Sequence, residues 1–471
     1  MIPERLEFLI ADDLPPRQLA EIFRASGHTL YLVGGSVRDA FLERPVEDFD
    51  FTTSARPDVI IELLDGWADS VYTVGATFGT VAATKNGRTV EVTTFRDEVY
   101  RDDSRKPRVT YSDDIQTDLS RRDFTVNSIA ISLPDMETVD PHGGLADLAA
   151  GRLRTPSDPE ISFSDDPLRM LRLFRFQATL GFEADEGALA AVVRMGKRME
   201  IVSPERIRDE LNKLMVAPAP GPALLDMVEH RLTESFLPEL PALAMEQDPA
   251  HHHKDVLAHT AAVVDKTSPD LALRLAALFH DVGKPETREF GSGGVSFHHH
   301  EVVGARLTRR RMKALRYPKE MIEAVSSLVY LHLRPHTLAL GWTDSAVRRY
   351  VRDAGPLLDR LNELVRCDVT TGNQRRESII QTRIDELEER IRVLGEQEEL
   401  ARLRPPIDGN QVMAYLGIPP GPMVGRVIDL LLEKRIEDGP YPAAEAYDVI
   451  RQWALAEGLD DPGTPPAEEE E

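Results

Sequence analysis

The sequence predicts an α+β protein in which a mixed α/β head at the N-terminus is followed by all-α domains. Two observations carry this: hairpin signals and alternating apolar runs fall before residue 150, and from residue 151 onward apolar residues recur at helical spacing. A third sets the scale, because 471 residues exceed what one core supports and imply three or four domains. The expected division is 1–150 for the head, 151–235 for a helical neck, 236–370 for a helical domain holding nearly all the histidines, and 371–471 for a helical tail ending in a disordered acidic run.

In chain order, residues 1–28 read as a helical lead-in and Leu30–Val33 as an apolar strand that ends at Gly34-Gly35. Ser36 can cap the helix that follows, whose free N–H groups then face an anion. On spacing alone the same residues also describe an ordinary strand-to-helix turn. In Glu47–Thr52 the two-residue period of a strand sends Phe49 and Phe51 inward and puts Asp48 and Asp50 on one side. Two carboxylates so placed repel unless a cation lies between them. Hard oxygen ligands at that spacing suit Mg²⁺ shared with substrate phosphates, as in phosphoryl or nucleotidyl transfer. Ala82–Thr93 reads as a hairpin turning at Asn86-Gly87. Val90 and Val92 take its core face and leave Glu91 on the other, either as a third carboxylate of the metal set or as part of a solvated surface. Helical patterns then occupy 166–182, 186–199, 204–215 and 221–231, with Pro218, Pro220 and Pro222 between the last two. Helices fill 250–370, an amphipathic Glu/Arg pattern runs over 377–403, and Pro405-Pro406 opens a smaller helical tail.

A hydrophobic content of 42% with 29% charged residues indicates a soluble globular chain. Met1-Ile2-Pro3-Glu4-Arg5 lacks the layout of a signal peptide, no apolar run approaches the ~18 residues of a membrane span, and the single cysteine, Cys367, excludes an internal disulfide. The expected location is the cytoplasm, with no membrane partner. The net charge of −24 opposes nucleic-acid binding in general, so local basic clusters matter more: Arg306, Arg309, Arg310, Arg311, Lys313 and Arg316 form one, and Arg101, Arg105, Lys106, Arg108, Arg121 and Arg122 another. Both can equally be solvated helix faces.

Several ordered motifs then point to a family. Gly34-Gly35-Ser36-Val37-Arg38-Asp39, the Asp48/Asp50 pair, Arg121-Arg122-Asp123-Phe124-Thr125-Val126-Asn127, Asp165-Asp166-Pro167-Leu168-Arg169-Met170-Leu171-Arg172 and Glu205–Leu211 follow one another through the first half of the chain. In these the chain resembles the bacterial class of CCA-adding tRNA nucleotidyltransferases and their poly(A) polymerase relatives. The resemblance implies a polymerase-beta-like head with Asp48 and Asp50 as Mg²⁺ ligands and Glu91 beside them. It implies nucleotide contacts from Gly34, Gly35, Arg38, Arg122, Asp123 and Arg172, with Asp123 suited to sensing a ribose 2′-hydroxyl. Asp166 and Arg169, three apart at a helix start with Pro167, would read the base: one accepts from the exocyclic amine shared by C and A, the other donates to the adjacent ring nitrogen. Asp165 stands where Glu is commoner in the family. Arg96–Ser112 looks like the flexible loop that helps switch from C to A addition. Thr77–Ala82 lacks the basic, aromatic stretch of poly(A) polymerases, and Gly409–Pro422 looks like a CCA-adding tail that binds RNA.

His259, His280-Asp281 and Asp368 form a second pattern, similar to the phosphohydrolase superfamily named for its His-Asp pair. Imidazoles with carboxylates suit a transition metal, Mn²⁺, Ni²⁺ or Co²⁺. His300 and His332 match the extra ligands of dinuclear members, and Asp255 falls one helical turn before His259 as a supporting acid. Lys284 can pair with a phosphate or stabilise a helix end. For His251, His252, His253, His298, His299 and His336 ordinary polar roles suffice. The resemblance therefore implies template-independent CCA addition to tRNA from CTP and ATP, with a possible second phosphohydrolase activity. Its competitors are poly(A) polymerase, a partial CC- or A-adding enzyme, and an HD phosphohydrolase whose head senses nucleotides. Oligomeric state is not encoded in any of these motifs.

Overall fold

The computed structural model describes residues 6, 11, 13–46, 48–101, 104–245, 255–291, 294–335, 341–369, 374–398 and 404–465. They form two compact units: residues 1–261 with 311–317, and residues 262–310 with 318–471.

The first unit is built on one seven-stranded mixed sheet. Its strands are β1 (Leu30–Val33), β2 (Phe49–Thr53), β3 (Ser70–Tyr72), β4 (Thr80–Lys85), β5 (Arg88–Thr94), β8 (Ala130–Leu133) and β9 (Thr138–Val139), in the order β3-β4-β5-β2-β1-β8-β9. All neighbours are antiparallel except β2 and β5. The β4–β5 hairpin turns at Asn86-Gly87 with φ of 51° and 74°, the left-handed pair that a two-residue turn requires and that Asn-Gly supplies. Alternation does the rest: Phe49, Phe51, Val81, Val90 and Val92 are buried. Helices α1 (Pro15–Ala25), α2 (Gly35–Phe41) and α3 (Pro57–Asp65) accompany the sheet, and Leu19, Phe23, Ile60 and Leu64 on α1 and α3 are wholly buried.

Between the hairpin and the neck, Arg96–Ser112 differs from expectation. Instead of a flexible loop it holds a separate antiparallel ribbon, β6 (Arg96–Arg101) with β7 (Ser104–Tyr111), whose register shifts between Val99 and Arg101. Val99, Tyr100, Val109 and Tyr111 supply the β-forming residues that its charge obscures. Helices α4 (Ile115–Ser120) and α5 (Gly144–Ala150) lead into the neck, formed by α6 (Pro159–Asp165), α7 (Leu168–Leu180), α8 (Glu186–Met195), α9 (Pro204–Met215) and α10 (Pro220–Glu229). The expected helices are present, but strands do not vanish after residue 151. A two-residue parallel bridge joins β10 (Arg152–Leu153) to β11 (Glu183–Ala184).

In the second unit the helices are α11 (Val256–Lys266, begun in the first unit), α12 (Leu271–Phe279), α13 (His300–Ala314, which ends in the first unit), α14 (Lys319–Leu331), α15 (Asp344–Ala354), α16 (Leu358–Cys367), α17 (Gln374–Glu398), α18 (Gly409–Leu416), α19 (Pro422–Asp438) and α20 (Ala443–Ala456). A hairpin, β12 (Arg288–Gly291) with β13 (Gly294–Phe297), interrupts the helices, a second departure from an all-α reading. In the tail Asp408 and Gln411 close a reciprocal capping box at the start of α18, and Val412, Val427, Leu431 and Ile450 centre its small core. Among the described residues no helix is long and apolar enough to cross a membrane. The acidic terminus beyond residue 465 and His251, His252, His253 and His336 lie outside the described residues.

Candidate active site

The carboxylates expected on one face of the head are brought together by strand register. β2 and β5 pair in parallel with Asp50 opposite Glu91 and Phe51 opposite Val92, so the acids share one face and the apolar residues the other. Asp48 lies just before β2, exposed. Burial raises the Asp50 carboxyl above its usual range, Arg122 opposing and Asp48 adding to the shift. Partial withdrawal of its carboxyl from water also raises Glu91, reinforced by Asp50 and Asp48. Crowded acids that resist ionisation are a hard-oxygen donor set in need of positive charge, which fits Mg²⁺.

Beside them opens a cavity of about 550 Å³ whose lining includes Gly34, Gly35, Arg38, Asp48, Asp50, Arg122, Asp123 and Arg172, all expected, and Ser36, Asn127, Arg175, Phe176 and Lys213, which were not. Gly34 has φ 72°, and a Cβ there would lie 3.3 Å from both Arg122 Nη1 and Asp50 Oδ2, so the turn needs glycine for its backbone angle and for close approach. Ser36 is not the cap of α2. That position belongs to Gly34, while the Ser36 hydroxyl donates to Val33 O (2.9 Å) and accepts from the Asp50 N–H (3.4 Å), fastening the turn to β2. Arg38 donates to Asn127 Oδ1 at 2.7 Å and to both oxygens of Asp39. Three guanidiniums, of Arg38, Arg172 and Arg175, lie 5.2, 5.7 and 4.0 Å from the centre of the Phe176 ring, which gathers positive charge at one wall.

Asp123 is more committed than the motif suggests. Its oxygens accept from Arg172 Nε (2.9 Å) and Nη2 (2.5 Å), Asn127 Nδ2 (3.0 Å) and the Phe124 N–H (2.8 Å). Burial opposes its ionisation, yet Arg172, Asn127 and Arg169 outweigh it and hold the carboxyl well below its usual range. Four donors fill the acceptor sites of a carboxylate, so Asp123 stands as the anchor of Arg172 rather than as a free acceptor for a ribose hydroxyl. Behind it Asp118, fully buried, accepts from Arg121 (2.6 Å), Arg122 (3.2 Å) and the Thr52 hydroxyl (3.2 Å). Burial alone would raise this carboxyl, but the two arginines pull it below its ordinary value.

Asp166 and Arg169 sit at the head of α7, though the helix begins one residue later than expected: Pro167 is its cap and Asp166 ends the preceding turn. The two side chains do not pair. Asp166 accepts from Arg206 at 2.6 Å and from the Leu168 N–H, and Arg169 donates to the Ser162 hydroxyl and to the Arg121 carbonyl.

In the second unit, residues at helix ends converge. His280-Asp281 follow α12, His332 follows α14, Asp368 follows α16, and His300 opens α13. The Nδ1 atoms of His280, His300 and His332 lie 2.7, 2.9 and 2.6 Å from the carbonyls of Ala277, Phe297 and Val329. A carbonyl can only accept, so each ring holds a proton on Nδ1 and turns Nε2 toward its neighbours. The Nε2 atom of His332 is buried without a hydrogen-bond partner, His300 Nε2 lies 3.4 Å from Asp281 Oδ1, and Asp281, His300 and His332 each place a donor atom within 4.8 Å of the others. His280 Nε2 lies 3.2 Å from Asp281 and 3.4 Å from Asp368. Burial works against a charged His280, but the two acids outweigh it and lift the ring to about 10, whereas burial pushes His332 down to about 3. Three imidazole Nε2 atoms converging on two carboxylates, that of His332 unpartnered, fit a transition metal. Lys284 donates to Asp281 at 2.7 Å. His259 lies on α11 within the first unit's part of that helix, and Asp255 precedes the helix, its side chain accepting from the Leu257 N–H as a cap.

Sequence models of known families match three stretches: the poly A polymerase head domain over residues 30–154, the probable RNA and SrmB-binding site of polymerase A over 181–243, and the HD domain over 250–388. An A-adding tRNA nucleotidyltransferase of Deinococcus radiodurans is 34% identical over 353 residues, 72% of this chain and 80% of that protein. A CCA-adding enzyme of Streptococcus thermophilus is 29% identical over 92% of this chain and 95% of its own length. In fold, the Bacillus stearothermophilus CCA-adding enzyme solved in complex with CTP is similar at a TM-score of 0.63 and 22% identity, covering 94% of this chain and 99% of that one.

Proposed function

The chain belongs to the tRNA nucleotidyltransferase family, and from that premise we propose that it adds C, C and A in turn to the 3′ end of tRNA, taking them from CTP and ATP without a template. The alignment of Asp50 with Glu91 beside a cavity walled by arginines is the observation that carries this reading. The terminal 3′-hydroxyl of the RNA attacks the α-phosphate of the nucleotide, and the bond to the β-phosphate breaks to release pyrophosphate. Held by Asp48 and Asp50 with Glu91 beside them, Mg²⁺ would neutralise the charge that builds on those phosphates.

The chain's own part is placement. The backbone at Gly34-Gly35 approaches the triphosphate, and Arg38, Arg122, Arg172 and Lys213 supply fixed positive charge. Asp123 and Asn127 keep Arg172 and Arg38 aimed at the cavity. For base choice, Asp166 exchanges Arg206 for the amine shared by C and A while Arg169 donates to the ring nitrogen; G and U would leave these groups unpaired.

A second reading, addition of A alone, is favoured by the name of the Deinococcus relative. Labelled CTP or ATP offered to tRNAs ending before C, CC and CCA separates the two: incorporation of both nucleotides supports the first, and A incorporated only on CC ends supports the second. In the second unit we infer a transition-metal site of His280, Asp281, His300, His332 and Asp368 that hydrolyses small phosphoesters such as 2′,3′-cyclic phosphates with Mn²⁺, Ni²⁺ or Co²⁺.

A further inference from the structure

The nucleotide cavity lies to one side of Asp50. It is lined from the turn after β1, from α2, from Pro45 to Asp50, from the segment 122–127, and from α7 and α9, and it takes nothing from β3, β4 or β5. On the other side the sheet continues outward, and its register draws one row of side chains across it: Asp50 opposite Glu91, Glu91 opposite Ala82, and Ala82 opposite Tyr72. Residues that face each other across strands share a face of the sheet, so Tyr72 stands on the face of the carboxylates, at the edge strand. At about 4.8 Å per strand it is ~10 Å from Glu91 and ~14 Å from Asp50.

Among the described residues this face is open. The helix that packs on β4 and β5 is α3, and it belongs to the opposite side, where Val81, Val90 and Val92 are wholly buried. On the open side Thr80, Thr84, Thr89 and Thr93 are only half-buried, Glu91 is exposed, and Tyr72 keeps 51% of its surface in water. Between Glu91 and Tyr72 the row contains only Ala82, a low and uncharged floor.

We propose that Tyr72 is a stacking platform for the single-stranded 3′ end of the RNA, which lies across β5, β4 and β3 with its terminal hydroxyl at Asp48 and Asp50. The proposal rests on the nucleotidyl-transfer reading above. In-line displacement brings the attacking oxygen from the side opposite the departing pyrophosphate. The cavity takes the triphosphate on the β1 and α2 side, which leaves the Glu91 side for the RNA. The span from Glu91 to Tyr72 matches about three stacked bases at ~3.4 Å each. The threonine hydroxyls along the way can meet phosphate and ribose oxygens, while the exposed ring meets a base of any identity.

The test uses the full chain with substitutions Tyr72→Ala, Tyr72→Leu, Tyr72→Phe and Tyr72→Trp, assayed on tRNA ending in CC. Loss of stacking in Tyr72→Ala and Tyr72→Leu should raise the KM for tRNA about 5- to 100-fold and leave the KM for ATP within about twofold, while the Phe and Trp variants stay near the parent. A tRNA carrying 5-iodocytidine near its 3′ end should, on irradiation, cross-link the parent at Tyr72. An unchanged KM for tRNA in Tyr72→Ala overturns the platform and leaves the transferase reading standing. An equal rise in both KM values, or failure of the Phe variant, assigns Tyr72 a structural role and also overturns it. A parent chain that incorporates neither nucleotide on any tRNA removes the transferase reading and the platform with it.

Discussion

At the scale of single residues, Asp48 and Asp50 sit where the chemistry has least tolerance. Asp48→Ala or Asp50→Ala should abolish both C and A addition, with residual turnover under about one per cent, while tRNA affinity measured by filter binding stays close to the parent. Asp50 and Glu91 were legible because a two-residue period leaves no freedom about which side chains share a face, whereas Asp48 precedes β2 and lies outside that period. Lys213 was not legible, since it reaches the cavity from α9, far along the chain, whereas Asn127 and Arg175 stand four and three residues after the expected Asp123 and Arg172 and that spacing could have marked them. Asp118 and Asp123 make a different prediction. Their carboxyls are held below the usual 3.8, so they contribute stability that is complete above the unfolded-state value near 3.9 and is lost as pH falls through the lower folded-state values. Acid unfolding followed by circular dichroism should therefore begin below about pH 4 and be shallower in Asp118→Asn. Asp118→Ala, which removes the buried carboxylate shared by Arg121 and Arg122, should cost about 3–5 kcal/mol by denaturant titration.

At the scale of elements, glycine decides how closely two pieces of backbone meet. A Cβ on Gly283 would fall 2.1 Å from the His300 carbonyl oxygen and 2.7 Å from the Gly304 nitrogen, so the turn after Asp281 and the start of α13 touch only because no side chain is there. Gly283→Ala should push His300 from Asp281, lower bound Mn²⁺ or Ni²⁺ by elemental analysis, and cost about 1–3 kcal/mol in thermal unfolding. Nucleotide addition should be unaffected. Helices were read well from sequence because their apolar period persists over several turns. The two ribbons at Arg96–Tyr111 and Arg288–Phe297 were not: charge masks the first, and glycines leave the second without alternation.

For the whole molecule, the two proposed metal sites share no residue, and their donors differ in kind: oxygen alone in the first unit, nitrogen with oxygen in the second. Asp281→Ala should abolish phosphoester hydrolysis and leave CCA addition at the parental rate. Loss of both activities together would show that the second unit supports the first rather than working beside it. Charge at this scale misled in part. Arg311 of the basic stretch is spent on Glu239 and the Phe236 carbonyl, and Arg306 on Glu286, so a run of cations in the sequence overstates the surface free to meet phosphate.

The β2–β5 pairing also limits how this protein can change over generations. One inserted or deleted residue in β5 would turn Glu91 toward the core and expose Val90 and Val92 in the same step, because the pleat ties both faces to one register. Selection that merely keeps the chain folded therefore preserves the position of the carboxylate as well. Length variation should accumulate outside β2 and β5, where a shift in register turns neither Asp50 nor Glu91.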